Sequence, residues 1–227
     1  MNVDIDENVI NAVTLEKIVE SSKNVAAFLK ETPMVTIDGF NKLFGHDLFF
    51  KLENLQKTGS FKARGAINIL VNFKKNNNLP EKIVAYSSGN HGLALAWASK
   101  VFGIKEVKIY LPYFTSEIKK ELTNKYEATV VITKTRAEAE KRAQIDASSL
   151  KYQLITPSDN NDIISGTATV AYEALQKQEK FDAIFVPIGG GSLSSSTLLV
   201  KNYLSPTTKI YAGEPKEASF ASFGSPA

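Results

Sequence analysis

The sequence predicts an α/β protein with parallel sheets flanked by helices. Three observations carry that reading. Strand-like and helix-like runs alternate with some regularity between Ile83 and Ala212, which is the pattern of repeated βα units. Glycine-containing turns at Gly59-Ser60, at Ser87-Ser88-Gly89-Asn90-His91-Gly92 and at Gly189-Gly190-Gly191-Ser192 each lead into an apolar-periodic segment. With 43% hydrophobic and 22% charged residues, the chain can bury a core and is not of disordered composition.

The elements follow in order. Thr14 is placed to cap a helix over Leu15-Glu16-Lys17-Ile18-Val19, with Lys17 on its polar face. Val25–Leu29 reads as another helical stretch, and Thr32-Pro33 breaks it. A short strand at Met34–Thr36 and a turn or helix to Phe44-Gly45 come next. Aromatic-rich Asp47–Leu52 is strand-like, and Glu53–Gln56 is a polar turn. After Lys62, the pattern Ala66-Ile67, Leu70-Val71, Phe73 gives a helix with one apolar face. Strands at 83–86, 107–111 and 128–132 feed helices at about 92–101, 116–126 and 138–147. A strand at 152–155 leads to the polar loop Pro157–Asp162 and a helix over 167–175. Strand 183–186, the glycine loop, a helix over 193–200 and strand 209–212 complete the pattern.

Composition removes several function classes. The net charge of +3, from 27 basic and 24 acidic side chains, is too small to imply nucleic-acid binding. The absence of cysteine excludes disulfides, thiolate metal sites and thiol catalysis. Two histidines are too few for a histidine-rich metal site. The first residues are acidic and polar, unlike a signal peptide. No run is long enough to span a bilayer. The default expectation is therefore a soluble cytoplasmic protein with no nucleic-acid or membrane partner.

Gly59-Ser60-Phe61-Lys62-Ala63-Arg64-Gly65-Ala66 places one lysine between a tight turn and a helix. Such a lysine is ordinarily a surface charge, but here it accompanies two glycine loops that leave helix N-termini free to hold anions. Taken together, these motifs resemble the fold-type-II pyridoxal-phosphate enzymes, and within them the threonine/serine dehydratase and serine racemase branch. The likeness runs from Thr32-Pro33 to Gly213-Glu214-Pro215. Cysteine synthases typically carry a GNTG-like loop where this chain has Gly89-Asn90-His91-Gly92, and threonine synthases an aspartate where it has Ala63. Both differences favour the dehydratase branch without separating dehydratase from racemase.

The resemblance implies a tryptophan synthase beta-like fold in two domains. Residues 54–149 would form a small α/β domain, and 1–53 with 150–227 a large one. Pyridoxal 5'-phosphate would lie between them. Lys62 would bond its aldehyde and later remove the substrate α-proton. Phe61, otherwise a core phenylalanine, would cover the ring. Asn90, otherwise a helix cap, would reach the cofactor hydroxyl. Gly189, Gly190, Gly191 and Ser192 would hold the phosphate, with Ser192 also capping the helix. Ser88, Gly89, Asn90 and His91 would bind the substrate carboxylate, and Ser88 is a candidate second acid/base. His91 is assigned loop structure rather than proton transfer, and Arg64 a structural salt bridge.

Several features depart from the family. At Ser165-Gly166-Thr167-Ala168-Thr169, Thr167 and Ala168 replace a glutamine and a glycine, and the side chain at 168 is expected to crowd the cleft. Phe220 stands where a divalent-cation site, matched by Glu214 and Ala218, would need an acid, so no metal is expected. Family enzymes continue beyond Ala227, so the large domain is expected to be incomplete, lacking the residue that bonds the pyridine nitrogen. The implied activity is dehydration and deamination of L-threonine, and of L-serine, to 2-oxobutanoate or pyruvate and ammonia. Serine racemisation is one alternative, and an inactive or partner-binding remnant another. A homodimer is expected if the fold is complete enough.

Overall fold

The computed structural model describes residues 12–178 and 180–215. Helix α1 (Leu15–Ala26) starts at Thr14, whose Oγ1 accepts from the Lys17 N–H. It is one helix where the sequence suggests two stretches. Its polar middle is not a break, because Asn24 is buried and its amide donates to Asn68 Oδ1 and Asn72 Oδ1. Short strands β1 (Met34–Val35) and β2 (Phe50–Lys51) pair antiparallel around α2 (Asp38–Phe44). A 3-10 turn at Glu53–Leu55 precedes α3 (Lys62–Lys75).

The strands β3 (Lys82–Tyr86), β4 (Glu106–Pro112), β5 (Thr129–Thr133) and β6 (Gln153–Leu154) form a parallel sheet in the order β5-β4-β3-β6. Helices α4 (Asn90–Val101), α5 (Glu117–Lys125) and α6 (Arg136–Ser149) connect them. Alternation along the strands builds two faces. Ile83, Ala85, Ile109 and Leu111 join Ile67, Leu70, Leu95 and Ala98 of α3 and α4 in one apolar cluster. Val84, Tyr86 and Tyr110 pack with Ala139 and Ala143 of α6 in another. Residues 153–154 belong to this sheet although they lie beyond the 54–149 stretch expected for a small domain.

The remaining elements are α7 (Asn161–Lys177), β7 (Ala183–Pro187), α8 (Ser192–Leu204) and β8 (Lys209–Gly213), with β7 and β8 parallel. Helix α7 begins six residues before the expected 167, because Asn160 Oδ1 accepts from the Asp162 and Ile163 N–H groups and caps it inside the polar loop. Among the described residues, no helix is long and apolar enough to cross a membrane.

Helix α3 meets α7 where two glycines face each other. A Cβ on Gly65 would lie 2.8 Å from the Ile163 carbonyl oxygen. One on Gly166 would lie 2.7 Å from the Arg64 carbonyl oxygen and 2.9 Å from the Gly65 Cα. The expected crowding at Ala168 is therefore corrected. Ala168 is fully buried among Val13, Ile18, Leu199 and Val200, away from this crossing, and Gly166 keeps the position where no side chain fits.

One residue before Gly65, Arg64 is fully buried. Its Nε and Nη2 donate to the two Glu53 carboxylate oxygens at 2.8 Å. Its Nη1 and Nη2 donate to those of Glu173 on α7 at 2.6 and 2.8 Å. Lys51 also reaches Glu173, at 2.6 Å. Burial opposes the charge on Arg64, but the two carboxylates outweigh it and raise its pKa further. Burial likewise opposes charge on Glu173, yet Arg64 and Lys51 hold its pKa below the usual range.

Gly166→Ala should destabilise the protein by about 1–3 kcal/mol in urea unfolding, because the added methyl meets backbone atoms that cannot rotate away. Ala168→Gly, which only opens a small void, should leave the α3–α7 spacing unchanged.

Candidate active site

The loops after β3, β6 and β7 and the N-terminus of α3 surround one cavity of about 360 Å³. Ligand-binding residues of parallel sheets collect outside the carboxyl ends of their strands, and this cavity obeys that rule. Phe61, Lys62, Ser88, Asn90, His91, Gly189, Gly190, Gly191 and Ser192 all line it. Gly89 is not on the wall. It is the N-cap of α4 with φ +144°, a conformation that only glycine adopts readily, and Ser87 Oγ accepts its N–H.

Lys62 is the first residue of α3, so the helix fixes where its side chain emerges. Its Nζ donates to the Pro157 carbonyl oxygen and to Ser192 Oγ, each at 2.8 Å, and lies 5.2 Å from the Phe61 ring centre. Burial, aided by the positive charge of Arg136 and opposed by Asp159, lowers its pKa to about 8. A usable fraction of the amine is thus neutral near physiological pH.

Three helices, α3, α4 and α8, present their N-termini here without side-chain caps. Gly89 precedes α4 and Gly191 precedes α8, and neither is backed by a capping side chain. Thr14, Thr135 and Asn160 do cap α1, α6 and α7. The first-turn N–H groups of α4 and α8 are therefore left for a ligand. Added Cβ atoms on Gly189 and Gly191 would meet nothing within 4 Å, so that loop borders open space. Gly191 has φ +84° and is itself the N-cap. The expectation that Ser192 caps α8 is corrected: Ser192 is the first helical residue, and its buried hydroxyl accepts from Lys62. Asn90 is likewise the first residue of α4 rather than its cap, and its amide has no partner among the described residues.

His91 is buried, with Nε2 at 3.0 Å from the Ile155 carbonyl oxygen and Nδ1 without a partner. A carbonyl accepts only from N–H, so the proton sits on Nε2. Burial, and then the nearby Lys62 charge, push the His91 pKa down to about 3. A neutral imidazole joining α4 to the end of β6 is a structural link between loops.

Sequence reasoning missed Lys119 of α5 and Arg136 of α6, which also line the cavity. Neither lies in a glycine motif. Their only signal was position, since each falls just beyond the carboxyl end of a parallel strand, β4 or β5. Among the described residues no group of three or more His, Cys, Asp or Glu is placed to hold a metal. Of the stretch read for a cation site, Glu214 is described, whereas Ala218 and Phe220 lie outside the described residues.

The donor set fits pyridoxal phosphate. An amine of lowered pKa suits its aldehyde, an uncapped helix N-terminus its phosphate, and the Asn90 amide its ring oxygen. Comparison with known proteins agrees. The family of pyridoxal-phosphate dependent enzymes matches residues 25–225. A serine racemase of Dictyostelium discoideum is 40% identical over 89% of this chain and 62% of its own length. An L-threo-3-hydroxyaspartate ammonia-lyase of Saccharomyces cerevisiae is 34% identical with the same coverage. The crystal structure of a pyridoxal 5'-phosphate-dependent aspartate racemase superposes with a TM-score of 0.85 at 34% identity, over 90% of this chain and 63% of that one. The chain thus spans about 62% of the length of the curated relatives it matches. It belongs to the pyridoxal-phosphate dependent enzyme family and has the α/β fold of its fold-type-II members.

Two outcomes test the electrostatics. Capture of added pyridoxal phosphate requires the neutral amine, so the rate of growth of its Lys62-dependent absorbance band should rise with pH to a midpoint near 8; a midpoint near 10 would refute the lowered pKa. For His91 the folded pKa lies below its unfolded value, so the unfolded state takes up the proton first as pH falls. Its stabilising contribution is complete above about 6.5 and is lost toward about 3. Between pH 6.5 and 5 the thermal midpoint should therefore fall less steeply in His91→Gln than in the wild type.

Proposed function

We propose that this chain acts on 3-hydroxy amino acids, dehydrating L-serine or L-threonine to an imine whose hydrolysis gives pyruvate or 2-oxobutanoate, with net loss of ammonia. One observation carries the reading: the Lys62 amine, with its pKa lowered to about 8, opens into the same cavity as two uncapped helix N-termini. Names of relatives support the class of chemistry, since they include both an ammonia-lyase and racemases of amino acids.

Lys62 would hold the cofactor, the α8 N-terminus and its glycine loop the phosphate, and Asn90 the ring oxygen. When bound, the cofactor supplies an electron-withdrawing ring that stabilises negative charge at the substrate Cα. The substrate carboxylate goes to the N–H groups at the start of α4, which positions Cα for proton removal. Lys62 takes the α-proton, acting as a base whose lowered pKa leaves it unprotonated often enough to work. Departure of the β-hydroxyl with a proton, as water, completes the elimination, and hydrolysis of the released imine takes that water up again and gives the 2-oxo acid and ammonia.

A second reading is racemisation. Ser88 lines the cavity with Lys62, which gives the site a second group able to exchange a proton at Cα. The serine racemase relatives point the same way. Both outcomes begin with loss of the same proton, and they differ in whether Cα is reprotonated on its opposite face before the hydroxyl leaves.

Incubation with L-serine or L-threonine should yield the 2-oxo acid and ammonia, and Lys62→Ala should lower that rate by at least about 100-fold. Chiral chromatography of the serine incubation measures the racemase share, and Ser88→Ala should reduce D-serine more than pyruvate if Ser88 returns the proton. A well-folded wild-type protein that never develops a pyridoxal phosphate absorbance band would defeat both readings.

A further inference from the structure

Hydroxyl side chains crowd the start of α8, and most of them close back on the helix. Ser194 Oγ donates to the Gly191 carbonyl oxygen, Ser195 Oγ to that of Ser192, and Ser196 Oγ and Thr197 Oγ1 to that of Leu193. Ser192 is different. It is the first residue of the helix, so no helical turn precedes it to offer a carbonyl. Its hydroxyl is buried on the cavity wall and accepts from Lys62 Nζ at 2.8 Å, while its own proton has no acceptor among the described residues. Other protic groups on the wall are placed otherwise. The His91 proton goes to the Ile155 carbonyl oxygen, and Glu140 bonds the Tyr86 side chain. Ser88 is exposed, and the partners of the Lys62 amine are Pro157 and Ser192. Among the described residues of the wall, Ser192 is thus the hydroxyl that touches Lys62 and still has a proton to give.

We propose that Ser192 is a catalytic residue that carries the α-proton from Lys62 to the departing β-hydroxyl. This role lies within the elimination proposed above and rests on it. Lys62 takes the α-proton and, as an ammonium, donates to Ser192 Oγ. The electron pair of the Cα–H bond becomes the second bond between Cα and Cβ, and the Cβ–O bond breaks with its pair on oxygen. That oxygen takes the Ser192 proton and leaves as water, while Ser192 Oγ takes a proton from Lys62. Lys62 ends as a neutral amine and Ser192 as a hydroxyl, so no proton is drawn from solvent. A serine hydroxyl alone is a weak acid. Passing one proton on as another arrives avoids a standing alkoxide, and a charged donor strengthens the hydrogen bond through which it acts. The phosphate does not need this hydroxyl, since under the same reading the glycine loop and the backbone N–H groups of α8 hold it.

Two measurements test the relay. The first compares L-serine with 3-chloro-L-alanine, because chloride leaves without a proton and a hydroxyl does not. In Ser192→Ala, pyruvate formation from L-serine should fall by about 100-fold, while that from 3-chloro-L-alanine stays near the wild-type rate. Ser192→Gly removes the same hydroxyl and should give the same split, and Ser192→Thr, which keeps a hydroxyl, should recover part of the serine rate. Equal loss on both substrates would make Ser192 a support for Lys62, and no loss on either would leave Lys62 to protonate the hydroxyl directly. Either result overturns the relay. The second needs no turnover: absorbance titration with pyridoxal phosphate should give Ser192→Ala a Kd close to that of the wild type. A Kd weakened by about tenfold or more would assign the hydroxyl to the cofactor and overturn the relay. Failure of the enzymatic reading shows separately, as absence of pyruvate from the wild-type protein with both substrates.

Discussion

The buried guanidinium of Arg64 is the constraint on which this structure depends. It faces Glu53 on one side and Glu173 on the other, and every one of these contacts crosses between chain segments. A charge with no exposure must be matched fully or it costs several kcal/mol, so the segment before α3, α3 itself and α7 have one relative placement. Lys51 and Thr169 extend the cluster to β2 and further along α7. Arg64 lies in the first turn of α3, two residues after Lys62. The ion cluster that fixes the helix therefore also fixes the reactive amine.

The glycine pair beside the cluster has the same effect by exclusion. Gly65 and Gly166 let two backbones approach to a distance that a single methyl group would prevent. Attraction between charges pulls α3 and α7 together, and the missing side chains allow the contact to close. Amides continue the seam, with the buried Asn68 donating to the Asp162 carbonyl oxygen and the half-buried Asn72 to the Asp162 carboxylate. The crossing is thus specified by charge, by volume and by hydrogen bonding at once.

Much of this was legible in the sequence, for identifiable reasons. The α/β alternation was visible because the inner strands β3 and β4 are buried on both faces and read as apolar runs. The cavity-lining loops were visible because glycine marks places where the chain turns tightly and leaves backbone groups uncovered by a side chain. Element ends were harder to read. Asn24 looks like a helix break until its partners Asn68 and Asn72 are known, and these are more than forty residues away. Ser192 looks like a cap because serine usually is one, but the positive φ of Gly191 moves the cap back by one position. The position that tolerates no side chain proved to be Gly166 and not 168, since only the helix crossing shows which face is pressed. Lys119 and Arg136 escaped notice because a surface lysine and a helix-opening arginine look alike in sequence wherever they point.

The two hydrogen bonds of the Lys62 amine have a consequence for how the site fills. In donating to Pro157 and Ser192, the amine ties the loop after β6 to the start of α8. The charged amine and the neutral amine are alternative states of one group, and only the second, turned from its hydrogen-bond partners, can react with an aldehyde. The protein is thus its own competitor for the position that the cofactor would take under the proposed function. Apparent affinity is reduced by the fraction of molecules in the reactive state. Under the proposed reading, the same tether would slow reaction of the amine with any aldehyde, the cofactor's included.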